Sequence, residues 1–232
     1  LTDCIFQNIT SDLFDVESAL HYMMDYIKQK GDFQMNIMNK YTVITGASSG
    51  IGAAAAEAFA ERGKNLILIA RRYKNLESLK NRIAETHPAL DIVIKPMDLS
   101  VPKNAYRLYA DLKRYRIETW INDAGLGNYA SVAEQGAEKI EAMLHVNVEA
   151  LTILSSLFVR DYKDIAETQL INISSCGGYT IVPTAVTYCA TKFFVSAFTE
   201  GLAWELKSGS AQMRAKVLAP AATKTEFGKK AN

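Results

Sequence analysis

Apolar positions along the chain follow two different periods. Short runs rich in β-branched and aliphatic residues at 41–45, 65–70, 91–96, 119–121, 169–173 and 214–219 predict buried strands. Between them, apolar residues recur every three or four positions over 53–62, 76–86, 103–115 and 138–159, and again in a stretch around Tyr188 that runs to Lys207. That spacing predicts helices. Strands taking turns with helices in this way predict an α/β fold, a Rossmann-like doubly wound parallel sheet with helices on both faces. Right-handed crossovers then bring the carboxyl ends of the strands to one edge, where a ligand is expected.

Ahead of this pattern, Leu13, Val16, Leu20, Met23, Met24 and Ile27 form an apolar stripe on a predicted helix over 13–30. Asp12 is placed to cap it and Gly31 to end it. Residues 1–35 therefore read as a helical extension and 36–232 as the nucleotide-binding domain.

Composition narrows the partners. With 232 residues, one α/β domain is expected. The formal net charge of +1 gives no field that would draw nucleic acid or an anionic membrane surface. No apolar run suggests a bilayer span. The first thirty residues hold Asp3, Asp12, Asp15 and Glu17 and do not read as a secretory signal. Cys4, Cys176 and Cys189 form an odd, sparse set, so a cytoplasmic protein is expected. No Cys/His spacing suits a metal, and His21, His87 and His145 read as structural or surface residues.

Candidate chemistry gathers at strand ends. The run 41–45 leads into Gly46 Ala47 Ser48 Ser49 Gly50 Ile51 Gly52 and then a helix. Strand, glycine turn, helix is the context of a dinucleotide-binding loop, whose backbone N–H groups face the pyrophosphate. After the second strand come Arg71 and Arg72, where NAD-binding proteins place a carboxylate for the ribose. Two guanidinium groups suit a 2′-phosphate, so NADP(H) is expected over NAD(H). Asp98 either caps the following helix or faces the adenine. Asn147 is an amide inside an apolar helix and needs a partner. Tyr188 and Lys192 stand at i and i+4, on one helix face. An ammonium there is expected to lower the tyrosine pKa from about 10 and fit it for proton exchange.

Together these motifs resemble the short-chain dehydrogenase/reductase family from about Lys40 to Phe227. The glycine loop is similar to its Thr-Gly-x-x-x-Gly-x-Gly. Asn122 Asp123 Ala124 Gly125 resembles its Asn-Asn-Ala-Gly, with Asp123 for the second Asn. Asn147, Ser175, Tyr188 and Lys192 match its catalytic tetrad in order and spacing. Pro220 Ala221 resembles its Pro-Gly, and Leu66 to Arg72 together with Pro220 to Phe227 resembles the bacterial general-oxidoreductase branch.

The resemblance implies roles. Tyr188 would be the general acid/base, Ser175 the donor to the reacting oxygen, Lys192 the partner of both tyrosine and ribose. Asn147 would hold a water that links the lysine to solvent. Gly46, Ser48, Gly50, Ile51 and Gly52 would cradle pyrophosphate. Ser49, Arg71 and Arg72 would face the 2′-phosphate side, with Arg71 discriminating and Arg72 stacking on adenine. Asp98 and Leu99 would meet the adenine, and Asn122, Ala124 and Gly125 would line the adenosine side. Pro220, Thr223 and Thr225 would lie by the nicotinamide. Gly178, Tyr179, Ile181 and Val182 would form an apolar pocket wall. A carbonyl or alcohol is the implied substrate and a homodimer or homotetramer the implied assembly. The family's last strand and substrate loop would follow Asn232. A non-catalytic NADP-binding module for redox sensing or protein contacts is the other reading.

Overall fold

In the computed structural model, residues 39–221 are described, and they belong to a unit that begins at Asn39. The predicted helix over 13–30, like Thr223 and Thr225, lies outside the described residues.

Six parallel strands form one sheet in the order β3-β2-β1-β4-β5-β6. They are β1 (Lys40–Thr45), β2 (Asn65–Ala70), β3 (Ile92–Pro96), β4 (Arg116–Asn122), β5 (Gln169–Ile173) and β6 (Arg214–Leu218). The helices are α1 (Gly50–Ala60), α2 (Tyr73–Thr86), α3 (Lys103–Leu112), α4 (Ala137–Leu144), α5 (Leu151–Tyr162) and α6 (Val186–Ser208). The strand order reverses between β1 and β4, so the two halves of the sheet wind apart and leave a crevice there. Thr45 and Asn122 pair at the carboxyl ends of those two strands, at the foot of the crevice.

Continuous apolar strands follow from burial on both faces. Val43, Ile67, Ile69, Trp120 and Leu170 point to one core, with Leu108, Leu154 and Phe158 from the helices. Ile44, Leu66, Leu68 and Ile121 point to the other, against Ala56, Leu76 and Leu79. Alternate residues of one strand thus feed opposite cores.

A polar seam runs through the first core. Trp120 donates from Nε1 to Asn122 Oδ1 at 2.8 Å, and Asn122 donates to Asn172 Oδ1 at 2.9 Å and Ser155 Oγ at 3.1 Å. Asn172 in turn donates to Thr199 Oγ1 at 3.0 Å. Strands β4 and β5 and helices α5 and α6 are joined by bonds that replace those each group would make with water.

Several boundaries differ from the reading of the sequence. β4 starts at Arg116 rather than residue 119, because polar Glu118 is carried into the sheet by its ion pair with Lys64 at 2.9 Å. α2 starts at Tyr73, where the phenol donates to Glu77 one turn on at 2.9 Å. The predicted helix over 138–159 extends from Ala137 to Tyr162 and contains a π-helical segment, His145–Ala150, between α4 and α5. By length and composition alone this continuous helix is long and apolar enough to cross a membrane, a stretch that the apolar runs of the sequence did not mark. Its buried side, including Met143, Leu154 and Phe158, packs into the domain.

Candidate active site

The turn after β1 is drawn tightly against the turn after β4. Thr45 Oγ1 accepts from the Asp123 and Ala124 amides at 3.1 and 3.2 Å. Gly46 has φ +75°, and a Cβ there would lie 2.7 Å from the Ala124 nitrogen. Only glycine meets both demands. Ser49 precedes α1 in extended conformation without capping it by its side chain, and no acidic residue occupies the first turn. Of the first amides of α1, that of Gly52 is met by the Asp123 carboxylate, which leaves those of Gly50 and Ile51 for an anion. Arg72 donates to Ser48 Oγ at 3.1 Å and Ser49 Oγ at 2.8 Å, which holds one guanidinium beside the loop.

From this cradle a cavity of about 360 Å³ runs past Arg71, Asp98 and Ala124 to Ser175, Tyr188 and Lys192. The Gly50 and Ile51 amides and two arginines at one end, and a phenol with an ammonium at the other, fit an anionic dinucleotide. Gly46, Ser48, Ser49, Gly50 and Ile51 would hold its phosphates, and Leu99, Gly125 and Pro220 also line the cavity.

At the far end, α6 places Tyr188 and Lys192 one turn apart, with Lys192 Nζ 5.9 Å from the centre of the tyrosine ring. Lys192 is 5% exposed and donates from Nζ to the Ile173 carbonyl at 2.8 Å. Ser175 starts a short 3₁₀ turn, Cys176–Gly178, and its hydroxyl accepts from the Gly177 amide at 3.1 Å while also bonding the Tyr188 phenol. Asn147 sits in the π-helical segment and is 1% exposed. Its amide donates to the Leu126 carbonyl at 2.9 Å and Thr191 Oγ1 at 3.0 Å and accepts from the Leu126 amide at 2.8 Å. The polar residue in the apolar helix is therefore a brace between the β4 turn and α6. Both of its side-chain donors are spent on protein.

Electrostatics correct one expectation. The Tyr188 phenol is pushed up to about 12, mainly by burial; the Ser175 hydrogen bond pulls it down. The lysine does not set the direction, because burial also pushes Lys192 below the usual lysine range while the Asp123 carboxylate opposes that. An ammonium that reaches a carbonyl rather than the phenolic oxygen has less leverage on the tyrosine than burial does.

Other residues also fall elsewhere than expected. Gly52 is buried beneath the cradle, where a Cβ would lie 2.7 Å from Asp123 Oδ2. Asn122 is 3% exposed and belongs to the polar seam rather than to the adenosine wall. Asp98 does not cap α3; its carboxylate accepts from the Ser100 amide at 3.0 Å and faces the cavity. Tyr179, Ile181 and Val182 are exposed and do not wall the cavity, and Gly178 is packed beneath α6. Tyr129 was not singled out in the sequence. It lines the cavity with its ring edge-on to Tyr188, centroids 6.2 Å apart. An aromatic residue soon after the Asn122–Gly125 turn was the available signal.

Comparison with known proteins agrees with this geometry. The family profile described as short chain dehydrogenase matches residues 40–232. An uncharacterized oxidoreductase of Staphylococcus saprophyticus is 31% identical over 196 residues, covering 83% of this chain and 77% of its own. A short-chain dehydrogenase from Sphingobium yanoikuyae, solved in complex with NADPH, superimposes with a TM-score of 0.77 at 33% identity, covering 83% of this chain and 74% of that one. A short chain dehydrogenase/reductase from Burkholderia phymatum, solved in complex with NAD, gives a TM-score of 0.76 at 25% identity, covering 83% and 69%.

The packing under the Cys176–Gly178 turn is open to a direct check. A Cβ on Gly178 would lie 2.6 Å from the Lys192 carbonyl oxygen and 2.7 Å from Ser196 Oγ, and would also collide with Ser174 Oγ. Gly178→Ala is expected to cost about 1–3 kcal/mol in urea unfolding, the range for forced overpacking.

Proposed function

Because the chain belongs to the short-chain dehydrogenase/reductase family, we propose that it is an NADP(H)-dependent oxidoreductase acting on a small carbonyl or alcohol, with Tyr188 as general acid/base. The observation that carries this reading is that one cavity joins the glycine loop at the start of α1 and Arg72 to the Ser175, Tyr188 and Lys192 group. A dinucleotide bound along that cavity supplies the hydride. The protein holds the proton and the reacting oxygen.

Tyr188 is protonated at neutral pH, since burial holds its phenol up to about 12. It gives that proton to a carbonyl oxygen as charge develops there. Ser175, fixed by the Gly177 amide, offers its hydroxyl to the same oxygen. Lys192 is anchored on the Ile173 carbonyl, with donors left for ribose hydroxyls and a positive field at the forming oxyanion. Tyr129 gives the substrate side an aromatic wall.

The NADP preference rests on Arg71 and Arg72. Arg72 is held at the loop by Ser48 and Ser49, and exposed Arg71 lines the same end of the cavity. Both cationic side chains suit a phosphate better than a bare ribose hydroxyl. Thr223 and Thr225 remain candidates for the nicotinamide side. A homodimer or homotetramer is part of the reading, supported by exposed Leu144, Phe193 and Phe194 on α4 and α6. A cytoplasmic protein is proposed as well, consistent with Cys176 and Cys189 being free thiols.

Tyr188→Phe is expected to bind NADPH as the parent does and to lose carbonyl-dependent NADPH oxidation at least a hundredfold. Binding of NADPH by both proteins, with turnover of no carbonyl by either, would favour a non-catalytic module. Arg71→Ala and Arg72→Ala should each weaken NADPH about tenfold or more and NADH little, read by fluorescence titration; an unchanged ratio would overturn the NADP preference. With the phenol high, alcohol oxidation needs a proton removed first. Its kcat/KM should climb with pH, close to tenfold per unit around neutrality, whereas that of reduction should not rise. A pH-independent oxidation would contradict the assigned base.

A further inference from the structure

The loop between β4 and α4 carries one buried polar side chain inside an exposed stretch. Residues 131–134 and 136–139 are exposed, and Gln135 between them is 9% exposed. A carboxamide taken out of water needs partners at both of its ends. Gln135 has them: Nε2 donates to the Ala130 carbonyl at 2.9 Å, and Oε1 accepts from Thr187 Oγ1 at 2.9 Å. The first bond closes the loop on itself, where the Ser131 carbonyl also accepts from the Glu134 and Gln135 amides at 3.0 and 3.2 Å. The second crosses to the first turn of α6, to the residue immediately before Tyr188.

These bonds bear on Tyr129. It adjoins Ala130, and its ring stands edge-on to that of Tyr188 at an interplanar angle of 78°. Upstream, the loop is held by Asn147, which grips both backbone groups of Leu126. Downstream, it is held by the Gln135–Thr187 bond. Tyr129 lines the cavity that contains Tyr188, whereas Gln135 does not line it. What the loop presents to that cavity is Leu126, Gly127 and Tyr129, an aliphatic chain and an aromatic ring without a charge. Such a wall favours a flat apolar group over an ionic one.

We propose that Gln135 is a positioning residue: by tying the loop to the start of α6 it keeps Tyr129 standing against Tyr188 as a fixed wall, and that wall selects carbonyl or alcohol substrates with an aryl group beside the reacting carbon. A loose ring would have to be ordered by each substrate that enters; a ring already held is ordered on folding, and the contact then counts fully toward binding. The choice of substrate rests on the oxidoreductase reading. The placement of the ring does not.

The test joins NMR to kinetics. In the ligand-free protein carrying ring-labelled tyrosine, the Tyr129 signal, assigned by Tyr129→Leu, is displaced by the neighbouring Tyr188 ring. Gln135→Met keeps the length of the side chain and loses both hydrogen bonds, so the Tyr129 signal should move toward that of free tyrosine. The same variant should raise KM for an aryl ketone such as acetophenone about three- to tenfold, the worth of an aromatic contact, while kcat and the KM of a straight-chain ketone change little. Thr187→Val breaks the crossing bond from the other side and decides the matter if Gln135→Met does not fold. Its effect should not add to that of Gln135→Met in the double variant. An unmoved ring signal, or an unchanged ratio of the two KM values, in the folded variants would overturn the proposal; so would an equal weakening of both ketones and NADPH, the mark of a merely structural residue. A ring signal that moves, in a protein whose parent reduces no carbonyl, would sustain the placement of Tyr129 and sink the oxidoreductase reading instead.

Discussion

The threonine at the end of β1 holds the two halves of the molecule in the relation that makes a site. Its hydroxyl accepts two backbone amides from the β4 turn and donates to the Ile121 carbonyl at 3.4 Å. Strands β1 and β4 are neighbours whose chains leave in opposite directions, so their turns would otherwise splay at the crevice. Binding the turns together there fixes the glycine loop, the start of α1 and the Asn122–Gly125 turn as one surface. Gly46 is the steric counterpart: with any side chain the turns would stand off and the cradle would widen.

The second half of the site is held by amides and hydroxyls rather than by apolar packing. Asn147 grips both backbone groups of Leu126 and the Thr191 hydroxyl, so the β4 turn, the π-helical segment and α6 move as one. A regular helix is closed on itself and has no reason to carry a buried amide. The π-helical segment marks the place where helix geometry yields to the site, as such insertions often do. Each of these polar groups is satisfied, which is the condition under which a buried network rigidifies rather than weakens a fold. The orientation of Tyr188 thus descends from contacts several residues away from it.

Much of this was legible in the sequence, for definite reasons. Strands buried on both faces must be apolar throughout, so 65–70 and 169–173 could be placed to the residue. The glycine loop and the Tyr188–Lys192 pair were legible because steric need and helix period act over a few residues. Features that depend on distant partners were not. Glu118 is met in β4 by Lys64, and Asn122 bonds Ser155 and Asn172, which lie 33 and 50 residues away. Tyr179, Ile181 and Val182 had the composition of a pocket wall, but composition does not say which side of a turn faces the cavity.

The tyrosine is the sharpest case. Sequence spacing correctly puts an ammonium one turn from a phenol, yet spacing carries no information on desolvation. Burial acts on both groups at once and in opposite senses on their pKa values: it raises the phenol and lowers the amine. A lysine that is itself desolvated cannot be counted as a full charge at its neighbour's oxygen. Its influence on Tyr188 depends on how much of its charge survives, and that is set outside the helix both residues share. The proton chemistry of the pair is therefore a property of the fold around them rather than of the four-residue interval that first drew attention to it.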